Sequence, residues 1–200
     1  MSDLDKRLER FDHGVQLREE SSEVFLGVWK DYDLYTSLEY WMMVGMLVIP
    51  LIVLYFKIDK TKLFHIGFFG YSYHTTFAYG DLIGMNQGNW HYPFQLIPLL
   101  PSLSIDASLA PVTFMLIYQW SINHKKNYYL YASITCGIFS FGLKPILVQL
   151  GLFRFYEGIT YYHLLVVYLM VALVAKQIVN VFLWVEKNYT GKTGKTENLY

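Results

Sequence analysis

The run YYHLLVVYLMVALVAKQIVNVFLWV, residues 161–185, decides the fold class. Lys176 is its one formally charged residue. Crossing a hydrocarbon core takes about 20 predominantly apolar residues, so this run reads as a transmembrane helix. Four more apolar runs precede it. Tyr128–Leu150 contains Lys144, and Ser104–Ile122 is long enough if its start sits at the interface. Leu63–Gly84 is aromatic-rich and carries Asp81, and Trp41–Phe56 contains Pro50 and is extended by Tyr35–Tyr40. Five spans are therefore expected in an all-α, polytopic membrane helix bundle. The stretch Pro93–Pro101 holds Pro93, Pro98 and Pro101. Proline removes backbone donors and breaks helix, which predicts an ordered outer loop or re-entrant segment within residues 85–103.

Composition agrees with this. Of 200 residues, 54% are hydrophobic and only 16% charged, against about 25% charged in an average soluble domain. Sixteen basic residues balance sixteen acidic ones, so nothing in the net charge suggests a nucleic-acid partner. The single cysteine, Cys136, excludes an intrachain disulfide framework and a Cys-rich metal site. The chain has no His-Glu-x-x-His or Glu-x-x-His motif and no recognisable nucleophile motif. No catalytic residue, metal ligand set or cofactor is therefore expected. Enzymatic action on a lipid or quinone ranks last among the readings.

The charges are unevenly placed along the chain. Residues 1–38 form an acidic tail in which Leu4, Leu8, Phe11 and Val15 recur at helical spacing, which predicts an amphipathic helix on the membrane or on the protein's own loops. No cleavable signal is read, because the first apolar run begins near residue 40 behind charged sequence. The transmembrane domain is expected over 39–186 and a basic tail over 187–200. The final residues, Glu197–Tyr200, match the start of a common protease-site tag and are set aside.

Lys57, Lys60 and Lys62, then Lys125 and Lys126, then Lys187, Lys192 and Lys195 fall in segments that five spans put on one side. Residues 85–103 on the other side have no Lys or Arg, and 151–160 has only Arg154. The positive-inside rule makes the lysine side cytoplasmic. The expected location is a bacterial cytoplasmic (inner) membrane, with the N-terminus outside and the C-terminus inside. Trp41, Trp90, Trp120 and Trp184 fall at expected helix ends, as an interfacial aromatic belt would place them.

Ionisable groups within a span are unfavourable, by about 2.5–3.5 kcal/mol at the helix centre on insertion scales, so each needs a partner. Asp81, Asp106 and Lys144 fall at similar depth near the outer ends of three spans. They are expected to form a buried charge cluster, with Tyr79, His91 and Glu157 as rim residues. Taken singly, Asp106 reads as a helix N-cap and Lys176 as a snorkelling lysine. Residues 75–81, Thr-Thr-Phe-Ala-Tyr-Gly-Asp, resemble a potassium-channel filter. The first filter glycine is Ala78 here, however, and one continuous helix over 63–84 is the preferred reading.

Several longer stretches carry a resemblance. They are Trp90-His91-Tyr92-Pro93 through Gln95-Leu96-Ile97-Pro98-Leu99-Leu100-Pro101, then Ile105-Asp106, then Pro111-Val112-Thr113-Phe114-Met115-Leu116-Ile117-Tyr118-Gln119-Trp120. Tyr40-Trp41, Pro145 and Leu150-Gly151 extend the pattern. From about residue 35 to 185 the chain resembles an uncharacterised family of small multi-pass integral membrane proteins of spore-forming Gram-positive bacteria. The resemblance implies the fold, the membrane location and acids at 81 and 106. It implies an acid before proline where this chain has Lys144, a charge reversal that supplies an internal counter-ion. It implies no reaction. The expected function is thus a binding, sensor or transporter-like module with an outer-facing polar pocket. The alternatives are a structural or assembly partner of another membrane protein, or a homo-oligomeric ion pore.

Overall fold

The computed structural model describes residues 2–31, 33–156 and 158–193, with side chains up to residue 189. Glu157 and the tag-like Glu197–Tyr200 lie outside the described residues. Among the described residues the fold is mostly helical, with six helices: α1 (Asp3–Asp31), α2 (Leu38–Lys57), α3 (Leu63–Asn86), α4 (Ala110–Asn123), α5 (Tyr128–Gln149) and α6 (Tyr161–Thr193). Three of them, α2, α5 and α6, are long and apolar enough to cross a membrane.

Helix α3 is rich in glycine and polar residues, and α4 has only 14 residues. Along α3, Ile66, Phe69, Gly70, Ser72, Tyr73, Phe77, Asp81 and Gly84 are buried, and α4 buries Ala110, Pro111, Val112, Phe114, Met115, Tyr118 and Ser121. Each presents one face to the bundle, and α3 leaves Phe64, Tyr71, Tyr79 and Ile83 exposed on the other. The outer helices carry the lipid-compatible surface. Leu51, Ile52 and Val53 on α2 and Val166, Met170, Leu173 and Val174 on α6 are exposed. Unbroken helix also runs through residues 75–81, so their carbonyls serve the helix and no filter loop forms.

Two π-turns interrupt the helical register, and both have the same cause. Ile105–Leu109 precedes Pro111, and Phe139–Leu143 precedes Pro145. A proline lacks the N–H and its ring collides with the carbonyl four residues back. In each case the residue before proline bonds one residue further back, Ala110 N–H to the Ile105 carbonyl and Lys144 N–H to the Phe139 carbonyl. This i→i−5 bonding makes room for the ring. It corrects the N-cap reading of Asp106, which sits inside the first π-turn and caps nothing.

The core is an aromatic ladder. Phe69, Tyr73 and Phe77 follow one another at i+4 spacing on α3. Phe69 stacks on Tyr118 at 4.2 Å, Tyr73 on Phe114 at 4.4 Å and Phe77 on Tyr168 at 5.2 Å. The resembling run 111–120 thus has identifiable duties. Pro111 sets the π-turn, Phe114 and Tyr118 supply rungs, and Gln119 holds the 57–62 loop. Gln119 accepts from Asp59 N–H at 2.8 Å and donates to the Lys57 carbonyl at 2.9 Å. Gln119→Ala is expected to lose both bonds, about 1–3 kcal/mol, and to make the 57–62 loop more susceptible to proteolysis. Cleavage rates equal to the parent's would refute this role. At the same end Asp59 accepts from the Thr61 hydroxyl and amide and from Asn123, which holds its carboxyl below the usual range.

At the opposite end, α3 and α5 both close through a glycine in the left-handed region. Gly88 has φ +73° and Gly151 has φ +71°. The bonds Asn89 N–H to the Gly84 carbonyl (3.0 Å) and Leu152 N–H to the Leu147 carbonyl (2.8 Å) complete the same kind of cap. Each cap turns the chain back across the bundle end into a short strand. β1 (Trp90–His91) pairs antiparallel with β2 (Arg154–Phe155). Helix α1 docks on this end through Trp29 to the Gln95 carbonyl (3.1 Å) and Phe25 against His91 (6.1 Å). None of its residues is buried, and Leu4, Leu8, Phe11 and Val15 are all exposed.

Candidate functional site

Asp81, Asp106 and Lys144 are all buried, at 3%, 6% and 1% exposure. Asp81 lies one turn beyond Phe77 on α3, Lys144 opens the last turns of α5, and Asp106 comes from the first π-turn. The three are near enough to interact electrostatically. No direct ion pair joins them, since among the described residues the ion pairs are Arg7–Asp3 and Lys62–Asp59.

Tyr92 makes the connection instead. Its hydroxyl donates to Asp81 Oδ1 at 3.0 Å and accepts from Lys144 Nζ at 3.2 Å. Burial, reinforced by the nearby Asp81 charge, pushes the Tyr92 hydroxyl well above its usual value, which keeps it a donor. Trp90 Nε1 donates to the same Asp81 oxygen at 2.8 Å. The Lys144 ammonium lies 3.6 Å from the Phe153 ring centroid and 4.9 Å from that of Tyr92. Cation–π contacts of this kind strengthen when desolvated. The residues that hold the cluster from above, Trp90, Tyr92 and Phe153, are delivered by the two glycine caps and the β1–β2 pair. The cluster therefore sits beneath a covering layer, and its three charged side chains do not reach the outer surface.

Asp106 is held differently. Its Oδ2 accepts from the Ser102 hydroxyl, and its backbone carbonyl lies 2.6 Å from His74 Nδ1. The bond to His74 follows from the π-turn. The Asp106 carbonyl has lost the Ala110 N–H to Ile105, and the next residue, Pro111, has no N–H to offer. A carbonyl only accepts, so His74 must carry its proton on Nδ1. His74→Phe is expected to strand that carbonyl and destabilise by about 1–3 kcal/mol. The loss should shrink in a Pro111→Ala background, which restores a backbone donor. Strict additivity of the two substitutions in thermal unfolding would refute the link.

Buried polar atoms without a partner remain among the described residues: Asp81 Oδ2, Asp106 Oδ1, the Tyr73 and Tyr168 hydroxyls, and the Ser104 and Ser140 hydroxyls. Such atoms are rare in folded proteins and call for an explanation. They concentrate around the charge cluster. Asp106 interacts electrostatically with Tyr73, Tyr92 and Tyr168, and Ser140 lies one turn from Lys144.

Of the expected rim residues, Tyr79 and His91 are described, and neither is hydrogen-bonded to the three charged side chains. Tyr79 is exposed and lines a lateral groove of about 720 Å³ between α3 and α6, together with Gly80, His163, Val167 and Met170. His91 lies between Phe25 and Tyr156, and burial holds its imidazole below the usual value. Glu157 is outside the described residues. Lys176 is half-buried and donates to Asn180, one turn nearer the lysine-rich end, at 2.6 Å and to Tyr118 at 3.5 Å, forming with His65 a second polar group there.

The site residues missed in the sequence are Trp90, Tyr92, Ser102, Phe153, Tyr73 and Tyr168. Part of the signal was present in helical spacing. Tyr73, Phe77 and Asp81 share one face, as do Ser140 and Lys144. Nothing in the local sequence pointed Tyr92 or Phe153 at Lys144, because that contact needs both caps and the strand pair. The chain matches no family model, no curated protein and no solved structure.

Proposed function

We propose that this is a five-span protein of a bacterial cytoplasmic membrane, N-terminus outside, acting as a binding, sensor or transporter-like module through its buried polar site. The observation that carries the reading is the pair of bare carboxylate oxygens, Asp81 Oδ2 and Asp106 Oδ1, beside a buried lysine. Ionisable residues inside a membrane bundle mark ligand or ion pathways more often than they serve packing. The two further spans would be α3 and the π-turn with α4. At 1.5 Å rise per residue, α3 alone reaches roughly 36 Å, and both pack within the bundle formed by α2, α5 and α6. The lysine-free loop 85–103 and the docked α1 share one end, and the lysine-rich 57–62 loop lies at the other. This charge asymmetry supports the proposed orientation.

Native mass spectrometry of the detergent-released protein, with Lys144→Met beside it, tests the reading. A small molecule or ion retained by the parent and lost in the variant supports it. A bare monomer in both overturns it.

One observation favours a second reading, an assembly partner for another membrane protein. Helix α1 holds exposed Leu4, Leu8, Phe11 and Val15 with none of its residues buried. Deletion of residues 2–31 that releases a co-purifying membrane protein would support it. An unchanged set of co-purifying proteins would not.

A further inference from the structure

We propose that the lateral groove between α3 and α6 binds one single-chain lipid with an uncharged head, of monoacylglycerol chemistry. Its hydrocarbon chain lies along the two helices, and its hydroxyl and ester oxygens lie at the end that carries the strand pair. This site is separate from the buried charges and goes beyond the reading given for them.

The dimensions select the occupant. The groove follows α6 from His163 to Val174, about 16 Å at 1.5 Å rise per residue. Its volume of about 720 Å³ falls within the roughly 300–1,000 Å³ of small-ligand sites. Spread over that length, the volume gives a mean cross-section of about 45 Å². A helix with its side chains is about 10–12 Å across and needs roughly 80–110 Å². A helix from a second copy or another protein is therefore too wide to seat in the groove, whereas an extended hydrocarbon chain is not. The floor is open at Gly80, where an added Cβ would meet only Val167 Cγ1 at 3.9 Å. Exposed Val166 and Met170 form one lip, and exposed Tyr79 and Ile83 form the other. The groove thus opens sideways along α6, a helix long and apolar enough to cross a membrane. A lipid chain can enter from the side without passing through water.

The polar groups gather at one end. Toward Val174 the lining is apolar, and the Thr76 hydroxyl there donates to the Ser72 carbonyl at 2.8 Å. The strand-pair end holds Gln87, Asn89 and His163. Asn89 donates to Gln87 Oε1 at 3.1 Å, which leaves the Gln87 amide hydrogens and the Asn89 carbonyl oxygen for a ligand. His163 Nδ1 accepts from the Thr160 backbone N–H at 3.1 Å. A backbone N–H only donates, so the imidazole is neutral with its proton on Nε2. Trp90 forms a fixed wall at this end, held against Gly84 and bonded to Asp81 Oδ1 at 2.8 Å.

Charge complementarity sets the head. None of the described residues that line the groove carries a charge. A phosphate or carboxylate head drawn in here would meet no cation, and an ammonium head no anion. Taking either out of water unpaired is unfavourable. Hydroxyl and ester oxygens instead match the Gln87 amide, the His163 Nε2–H and the Asn89 carbonyl.

The test uses the full chain in phosphatidylcholine nanodiscs at pH 8, where no uncharged detergent competes. Monoolein is compared with oleate and oleylamine, which carry the same chain length on charged heads. Monoolein is expected to raise the unfolding temperature saturably, by roughly 5–10 °C at a hundredfold excess over Kd. The two charged lipids should bind roughly tenfold more weakly or worse. Native mass spectrometry should show one monoolein per parent chain. Gly80→Leu puts a side chain into the groove and should lower that retention roughly tenfold. The temperature measurement uses the unmutated protein, so it stands however the variant folds. No saturable rise and no retained monoolein overturn the proposal. Equal binding of all three lipids overturns it too, because the groove then does not read the head. Parental retention by a folded Gly80→Leu places the lipid elsewhere and has the same consequence. Each of these outcomes leaves the reading of the buried charges intact, since that reading is tested at Lys144.

Discussion

Lys144→Met is expected to give the largest loss of stability of any single substitution in this chain. The parent ammonium sits at 1% exposure, hydrogen-bonded to Tyr92 and 3.6 Å from the Phe153 ring. Methionine nearly matches the lysine stem in volume, so packing is kept and the charge alone is removed. Asp81 and Asp106 are then left in the same buried region with no internal cation. Removing one partner of a buried charge pair destabilises by about 3–5 kcal/mol, which at about 2–4 °C per kcal/mol for a chain of this size lowers the unfolding temperature by roughly 6–20 °C. Thermal unfolding of parent and variant across pH 5–8 is the measurement. Equal temperatures throughout that range would mean that the three charged residues do not act as a cluster.

The second large effect is steric. A Cβ at Gly84 would fall within the Trp90 indole, against Cζ2, Cη2 and Cε2, which are rigid ring atoms. Trp90 cannot yield without breaking its 2.8 Å bond to Asp81. Gly84→Ala therefore combines overpacking with a lost hydrogen bond to a charged group, about 2–5 kcal/mol together. Gly80→Ala, one turn earlier on the same helix, is the matched control. Its Cβ would meet only Val167 Cγ1 at 3.9 Å, an ordinary contact. Alanine replaces glycine in a helix interior with a gain of roughly 0.5–1 kcal/mol. The two variants are expected to move the unfolding temperature in opposite directions, and Gly84→Ala should also shift the tryptophan emission. If both unfold at the same temperature, Trp90 is not seated on Gly84.

Much of the helical layout was legible along the chain. The expected runs 63–84 and 128–150 each fall on a helix of nearly the same bounds, and 161–185 begins a helix that continues to Thr193. A run of apolar residues between charged loops reports its own partition into an apolar medium, a property that needs no knowledge of neighbours. The buried charges were legible for the same reason, because any ionisable residue in such a run must find a partner. The depth argument grouped Asp81, Asp106 and Lys144, and the structure brings them into one buried region. The rim was not legible. The structure puts Tyr79 on a lateral groove and His91 under α1.

By itself the sequence determined the helix-forming runs and the presence of three ionisable residues within them, whereas Pro111 and Pro145 are accommodated by π-turns and Pro50 is not. Those are local properties, set by side-chain chemistry and backbone sterics within a few residues. Only the tertiary structure decided that Lys144 meets Asp81 through Tyr92, that His74 serves the carbonyl Pro111 leaves without a donor, and that Trp90 and Phe153 cover the site. Each of these contacts joins segments far apart in the chain or turns on how two caps aim their strands. Such contacts depend on side-chain direction and helix packing, which a periodicity in sequence does not encode.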